Sequence, residues 1–294
     1  MVYHYTTIET FYNMLAIYQS SDDKDHLEFW ASSALNQNDS TELSLGVNDI
    51  LPIIHDIEKN SETTEFRKLS KYKVFDWIPY LTGQTPVDID KSYRTLRLAP
   101  FTVSFSKRED LLLMWTMYAN NGNGICLAFD ESKLICPQSG LHPMADNVFY
   151  EKDPQLYYGI IKTLQEMYLK EIQEMNLLQG IHHSKQKALI GMISAISPFF
   201  KHNSFEEEEE YRIAYYKVSD NNPNIFTRLT NRLNEINYVK VKIPLEALQY
   251  IIIGPCANYR RVRKLLIEYM KSCNIEQDYA NKFIRKSKVP FRLY

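Results

Sequence analysis

The 294-residue chain is 45% hydrophobic and 24% charged, so it can bury a substantial core and form one or two domains. Its formal net charge of -2 argues against a globally basic surface that binds nucleic acid, but leaves room for a local basic patch. The four cysteines are widely spaced and lack the pairing of a zinc site, which favours free thiols in a reducing compartment.

The N-terminus has no basic start followed by an apolar run, as a secretory leader would. The longest strongly apolar stretch, 188–200, is shorter than the roughly 20 residues that a membrane helix needs. We therefore expect a cytoplasmic protein that neither is exported nor enters a membrane.

The beginning of the chain predicts a strand, a helix and a second strand. In VYHYT, at 2–6, Val, His and Thr share one side of a strand, and the two Tyr share the other. Apolar residues then recur at helical spacing over 8–18, and Thr6 or Thr7 can cap the start of this helix. The segment HLEFWASS, at 26–33, predicts a second strand.

The middle of the chain changes from helical to extended patterns. Residues 41–80 have a mainly helical pattern, and the polar stretch 82–92 is a first break. In APFTVSFS, from residue 99, apolar side chains alternate with hydroxyls, which predicts a strand with one apolar face. A short helix, a turn rich in Gly and Asn, and a strand at 124–130 follow.

The second half predicts a helical insertion followed by a return to strands. Apolar residues repeat at helical intervals over 156–178, and with the apolar segment 186–200 they predict an insertion at about 150–204. Strand patterns then return at 206–218 and 237–254, before a final helix at 260–273. We predict that residues 1–294 form a single α+β domain.

The acidic run Glu206–Glu210 has two interpretations. Five consecutive glutamates are usually a solvated charge run, and composition alone favours that interpretation. The run leads directly into a strand pattern, however, and if the strand begins early, then Glu208, Glu210 and Arg212 share one face. Such a cluster is either a surface ion pair that contributes little or a site that polarises a substrate, and the spacing leaves both open.

The other candidate residues have a structural interpretation that is favoured when each is taken alone. A lone histidine such as His4 is more often hydrogen-bonded in a structural role than catalytic. Trp115 and Tyr118 lie on one side of a helix, where most aromatic pairs pack in the core and some line pockets. The chain has no Gly-rich phosphate loop and no hydrolase serine elbow, and no spacing predicts a metal site.

Six short motifs follow one another in order along most of the chain, although 131–205 adds little to them. They are YHYT at 3–6, FWASS at 29–33, ND at 38–39 with Glu42, SFS at 104–106, LMWTMYANNGNGICLAF at 113–129 and EEEYRI at 208–213. Together they resemble a bacterial family, domain-of-unknown-function family number 2971, whose name supplies no activity.

A second, more distant resemblance implies an activity. A His on the first strand, Ser-x-Ser on a middle strand and Glu-x-Glu on a later strand are similar to the ADP-ribosyltransferase fold. That resemblance implies a mixed, largely antiparallel sheet and an enzyme that uses NAD as its substrate, with no metal. Breaking the glycosidic bond of NAD develops an oxocarbenium ion, which a nearby carboxylate stabilises, and a hydrogen bond between that carboxylate and the ribose orients the sugar.

Carried onto this sequence, the resemblance implies a role for each matching residue. Glu210 would be the catalytic carboxylate, with Glu208 assisting. His4 would bind the NAD ribose, and Arg212 would bind the pyrophosphate or hold a glutamate in place. The remaining NAD-binding residues would be Tyr5 and Tyr118, either of which could stack against nicotinamide, together with Thr6, Ser104, Ser106 and Trp115 around the cleft.

Three functions are compatible with these features. The first is an NAD-consuming enzyme that transfers ADP-ribose to an unidentified protein or nucleic-acid acceptor, or hydrolyses NAD, as a toxin or a phage-defence effector. The second is a noncatalytic protein of the same fold that binds a ligand or partner in a regulatory role. The third, a metal-dependent nuclease using Glu208, Glu210 and His202, ranks lowest because the sequence offers no further clustered acidic ligands.

Overall fold

The computed structural model describes residues 1–34, 100–150, 196–217, 224–229, 235–275 and 283–292. The predicted helical segments 41–80 and 156–178, and most of the predicted helical insertion at 150–204, lie outside these residues. Within the described ranges, helices accompany a mixed and mostly antiparallel sheet, so the predicted α+β class is confirmed.

Ten of the described strands form one sheet, and two more form a short separate ribbon. The strands of the sheet are β1 (Val2–Thr6), β2 (His26–Ser33), β3 (Phe101–Ser106), β4 (Ile125–Phe129), β5 (Leu141–Asn147), β8 (Glu210–Lys217), β9 (Phe226–Leu229), β10 (Glu235–Pro244), β11 (Leu248–Ile253) and β12 (Ile284–Lys286). The ribbon consists of β6 (Phe149–Tyr150) and β7 (Phe200–Lys201). The α-helices that lie wholly within the described residues are α1 (Ile8–Ser20), α2 (Leu112–Tyr118) and α3 (Tyr259–Ser272).

The first three elements form as their sequence predicts. The side chain of Thr7 caps α1, since its Oγ1 accepts a hydrogen bond from the backbone nitrogen of Thr10 at 3.0 Å. Helix α1 then buries one apolar stripe, and β2 occupies the predicted range 26–33 with burial that alternates along the strand. None of the described helices is long and apolar enough to cross a membrane.

Strand β3 organises the sheet around a split. Strand β8 pairs with one side of β3 along its whole length. On the other side, β1 pairs at Tyr3, opposite Ser106, whereas β2 pairs at the far end, opposite Phe101 and Thr102. Strands β1 and β2 therefore diverge opposite Ser104, and the sheet opens between them.

The strand registers assign side chains to two faces of the sheet, because residues opposite each other in antiparallel strands share a face. One face carries the larger core, which includes Phe29 and Phe105 and packs against α1 and α3; we call it the α1 face. The other face carries a smaller core, in which Tyr3 and Tyr5 pack with Trp115 and other residues of α2. We call it the α2 face.

The Gly- and Asn-rich turn between α2 and β4 needs its glycines for two different reasons. Gly122 has a positive φ of 81°, as the predicted turn requires. Gly124 instead lies where chains approach closely: a Cβ there would be 2.3 Å from the carbonyl oxygen of Thr6 and 2.9 Å from the Cα of Ala119. This contact sets the position of the end of β1 relative to β4.

We expect Gly124→Ala to lower the free energy of unfolding by about 1–3 kcal/mol or more, because the new methyl group can be accommodated only by moving backbone. Urea unfolding measures the change. Asn123→Ala, at the neighbouring and partly exposed position, is the matched control and should change stability much less. Equal effects of the two substitutions would contradict this account of the turn.

Candidate functional site

A cavity of about 710 Å³ opens where β1 and β2 diverge. Its volume lies in the range of roughly 300–1,000 Å³ that is usual for small-molecule sites. We call it the split cavity. It brings together most of the residues that the sequence predicts for the site, namely His4, Tyr5, Thr6, Ser104, Tyr118, Glu208, Glu210 and Arg212.

Four buried charged side chains line one part of the split cavity and form what we call the charge cluster. Lys201, Glu208, Glu210 and Arg212 are 5%, 4%, 4% and 1% exposed, respectively. The Nζ of Lys201 donates to Glu208 Oε2 at 2.6 Å and to Glu210 Oε2 at 2.9 Å, and the Nε of Arg212 donates to Glu210 Oε1 at 2.7 Å. Two cations thus balance two carboxylates, as burial of charge requires.

The acidic run divides between the two interpretations that the sequence allows. Glu206, Glu207 and Glu209 are exposed, as in a solvated charge run, whereas Glu208 and Glu210 are buried in the charge cluster. The solvated interpretation is therefore wrong for the two glutamates that belong to the predicted site.

The route by which Glu208 reaches the charge cluster differs from the strand alternation considered in the sequence. A 3₁₀ helix, Asn203–Glu208, precedes the strand, and Glu209 has a left-handed φ of 40°. Strand β8 begins only at Glu210, so Glu208 is not part of a strand. Two hydrogen bonds hold this turn. Ser106 Oγ donates to the carbonyl oxygen of Glu208 at 2.7 Å, and the backbone nitrogen of Lys107 donates to the carbonyl oxygen of Glu209 at 2.8 Å.

Glu210 stays ionised despite its burial. Burial alone raises its pKa, but the charges of Arg212 and Lys201, with hydrogen bonds from Arg212 and Ser104, outweigh that effect and lower the pKa to about 2. Arg212 also donates from Nη1 to the carbonyl of Pro198. Of the two roles that the resemblance implies for Arg212, these contacts favour holding a glutamate over binding a pyrophosphate.

His4 enters the split cavity from the opposite face of the sheet. Its ring lies beside Phe29 and Phe105, with centroid distances of 5.3 and 5.6 Å, which places it on the α1 face, whereas Glu210 lies on the α2 face by its register opposite Ser106. The predicted division of β1, with His4 on one side and the tyrosines on the other, is confirmed.

The protonation of His4 follows from its surroundings. Its Nδ1 lies 3.0 Å from the carbonyl oxygen of Ser104, and because a carbonyl only accepts, Nδ1 carries the hydrogen. Burial lowers the pKa of His4, and the hydrogen bond to Ser104 opposes this only in part. The imidazole is therefore neutral at pH 7, with Nε2 as a hydrogen-bond acceptor.

The two tyrosines predicted near nicotinamide have different contacts. The hydroxyl of Tyr118 donates to Glu208 Oε1 at 2.7 Å, which ties α2 to the charge cluster. The hydroxyl of Tyr5 donates to the carbonyl of Arg108 at 2.9 Å and accepts from the backbone nitrogen of Leu111 at 3.0 Å. Tyr5 therefore fixes the loop after β3 through its hydroxyl.

Ser106 and Trp115, which the sequence predicts around the cleft, lie outside the wall of the split cavity. Both are 0% exposed. Ser106 Oγ accepts from the backbone nitrogen of Arg108 at 2.9 Å, and Trp115 Nε1 donates to Asp110 Oδ1 at 2.8 Å. The core-packing interpretation of Trp115 is confirmed, and Ser106 acts on the site by holding the turn at Glu208.

Lys201 and Arg228 also line the split cavity, but they are not among the site residues that the sequence predicts. Lys201 ends the apolar segment SPFFK, and a lysine in such a segment signals a buried cation that needs an acidic partner. Arg228 has no comparable signal. Among the described residues, no group of three or more His, Cys, Asp or Glu side chains is arranged to hold a metal ion.

We expect Glu210→Gln to lower the free energy of unfolding by about 3–5 kcal/mol, because removing one partner leaves buried cations with too little negative charge. Chemical unfolding at neutral pH measures this loss. Glu131→Gln, which breaks the partly exposed ion pair between Lys107 and Glu131, is the matched control and should cost at most about 1 kcal/mol.

The stability difference between the wild type and Glu210→Gln should depend on pH. Glu210 has a pKa of about 2 when folded, against the ordinary 4.5, so it stabilises the fold above pH 4.5 and loses that contribution as the pH falls towards 2. Unfolding measured at neutral and at acidic pH should therefore show the difference shrinking below pH 4.5. A constant difference would contradict the ionised state of Glu210.

In the comparison with known proteins, one family model matches part of the chain, and no match supplies an activity. No curated protein and no solved structure matches the chain significantly. The family model described as "Protein of unknown function (DUF2971)" matches residues 114–213, which contain Tyr118 and all four members of the charge cluster. The resemblance to this family that the sequence motifs indicate is therefore confirmed over these residues.

Proposed function

We propose that the chain is an ADP-ribosyltransferase-like enzyme that breaks the bond between nicotinamide and ribose in NAD and passes ADP-ribose to a macromolecule or to water. The observation that carries the proposal is the pair of buried, ion-paired carboxylates, Glu208 and Glu210, in the wall of a cavity of about 710 Å³. A carboxylate in such a place can stabilise positive charge that develops on a bound ribose.

The groups around the split cavity suit the parts of NAD. His4 offers a neutral acceptor, Nε2, for a ribose hydroxyl on the α1 face. Arg228 is exposed and lines the cavity, so its guanidinium can pair with the pyrophosphate. The carboxylates lie on the α2 face, where the bond to nicotinamide would be broken.

The hydrogen bonds distinguish the two carboxylates. Both oxygens of Glu210 face cations, Arg212 on Oε1 and Lys201 on Oε2. Glu208 pairs with Lys201 only through Oε2, whereas its Oε1 accepts from the uncharged hydroxyl of Tyr118. A ribose hydroxyl can replace that of Tyr118 without breaking an ion pair, so Glu208 is the carboxylate that contacts the sugar.

Glu210 then acts with Glu208 through charge. The bond between ribose C1′ and the nicotinamide nitrogen breaks, and its electron pair leaves with nicotinamide. The positive charge that develops on the ribose is stabilised by the two carboxylates. A hydroxyl, amine or water then forms a bond to C1′ and loses a proton. The resemblance implies the leading role for Glu210, and the proposal keeps both glutamates in the reaction.

Nicotinamide release from NAD by the purified protein, with and without cell lysate as acceptor, tests the proposal. We expect Glu208→Gln to slow release by about 10²- to 10³-fold, the usual effect of removing one electrostatic stabiliser of a transition state. Glu131→Gln, a surface control, should retain the wild-type rate. Thermal unfolding of each variant shows whether a loss of rate reflects a loss of fold, which matters most for Glu210→Gln.

The outcomes separate the proposal from its main alternative. Faster release with lysate would indicate transfer, and equal release would indicate hydrolysis. The neutralisation of Glu210 by Lys201 and Arg212 favours the alternative, a noncatalytic protein that binds its ligand intact. NAD that binds without nicotinamide release would support that alternative, and neither binding nor release would remove the support for an NAD site.

A further inference from the structure

An aromatic column crosses three strands beside the split cavity. The ring of Trp30, on β2, stacks on that of Tyr238, on β10, with centroids 4.6 Å apart and an interplanar angle of 23°. Tyr238 also stacks with Phe226, on β9, at 5.5 Å and 28°. Because β10 lies between β2 and β9 in the sheet, the three rings form one continuous column, which we call the aromatic column.

Cations accompany the aromatic column. The guanidinium of Arg228 lies 6.0 Å from the ring centroid of Trp30, and the Nζ of Lys240 lies 5.3 Å from that of Phe226. Both distances are typical of cation–π contacts. Lys240 also pairs with Glu28 at 3.1 Å. Two cations, Arg228 and Lys240, therefore lie beside the rings, and the carboxylate of Glu28 pairs with one of them.

The column leads into the split cavity. Trp30 and Arg228 are part of the wall of the cavity. Since Phe29 faces the larger core, the neighbouring Trp30 lies on the α2 face, the same face as the charge cluster. Trp30 is 40% exposed whereas Tyr238 is 7% exposed, so Trp30 provides the aromatic surface that is open to a ligand beside the carboxylates.

We propose that the aromatic column is the docking site of a single-stranded nucleic acid and that this strand is the acceptor for the split cavity. Unpaired bases stack on aromatic rings, and phosphates are attracted to neighbouring cations. The acceptor role rests on the proposed function, whereas docking can be measured without NAD. Because the base faces and phosphates are common to DNA and RNA, we expect the column to bind both.

The charges and shape of the column favour a single strand over other partners. A duplex conceals the faces of its bases and is held mainly by broad basic surfaces, whereas this chain has a formal net charge of -2. Acidic peptides are negatively charged like nucleic acid but have no bases that stack on aromatic rings. Only the cations of the column would therefore attract an acidic peptide. Stacking is the feature that the column offers beyond charge.

Fluorescence anisotropy with short labelled oligodeoxythymidine and oligouridine tests the docking, using the full chain without NAD. We expect Trp30→Ala to weaken binding by about tenfold or more, because one stacking partner is lost, and Trp30→Phe to retain most of it. Lys240→Ala should weaken binding and reduce its dependence on salt. Lys264→Ala, at a lysine of α3 whose side chain is 77% exposed, is the charge-matched control and should bind like the wild type.

Other results would either overturn the docking site or distinguish it from the proposed NAD chemistry. The proposal fails if the wild type binds neither oligonucleotide, if Trp30→Ala binds as tightly as the wild type, or if duplex DNA or polyglutamate binds better. Nicotinamide release without oligonucleotide binding would overturn the docking site alone. Oligonucleotide binding that depends on Trp30, in a protein that releases no nicotinamide, would support the docking site and overturn the NAD chemistry.

Discussion

Neutralisation of Glu208 and Glu210 by Lys201 and Arg212 is the interaction on which the site depends. All four side chains are buried, and an unpaired charge in their place would cost several kcal/mol. The need for pairing brings three separate parts of the fold together: β7 supplies Lys201, the 3₁₀ helix supplies Glu208, and β8 supplies Glu210 and Arg212. The charge cluster therefore positions backbone as well as side chains.

The split in the sheet explains why this cluster has access to a ligand. A continuous sheet would cover Ser104 with a neighbouring strand, and its carbonyl would accept a backbone hydrogen bond. Where β1 and β2 diverge, the imidazole of His4 takes that position instead. The carbonyl is satisfied, as a buried polar group must be, while the space beside it remains open as the split cavity. The His4 side chain thus replaces a neighbouring strand as the partner of the Ser104 carbonyl.

The sequence predicts the local features of this fold well and its long-range contacts poorly. Helix α1, its Thr7 cap and the range of β2 depend on short-range periodicity and capping, so they can be predicted from neighbouring residues. The turn at Glu209 cannot be predicted in this way. No sequence pattern marks a glutamate with a left-handed backbone conformation, and this one is held by a contact with the end of β3, which is distant in sequence. Lys201 was missed for a similar reason, since its partners become apparent only when β7 and β8 are placed together.

The position of His4 shows the same limit within a correctly predicted strand. Alternation alone separates His4 from Tyr3 and Tyr5, but it cannot say which of these sides faces the carboxylates. The register of β3 with β8 is needed, and it places Glu210 on the side of the tyrosines. A ligand that touches both His4 and Glu208 must therefore pass through the split in the sheet.

That constraint favours a long ligand with unlike ends over a compact one. The α1 side offers a neutral imidazole, and the α2 side offers carboxylate oxygen beside cations. In the proposed reaction, the nicotinamide end of NAD carries positive charge before the bond breaks and leaves as a neutral molecule. The carboxylates then attract the ribose, where the charge has moved, more than the departing ring. In the proposed reaction, the same electrostatic arrangement therefore favours both the breaking of the bond and the release of nicotinamide.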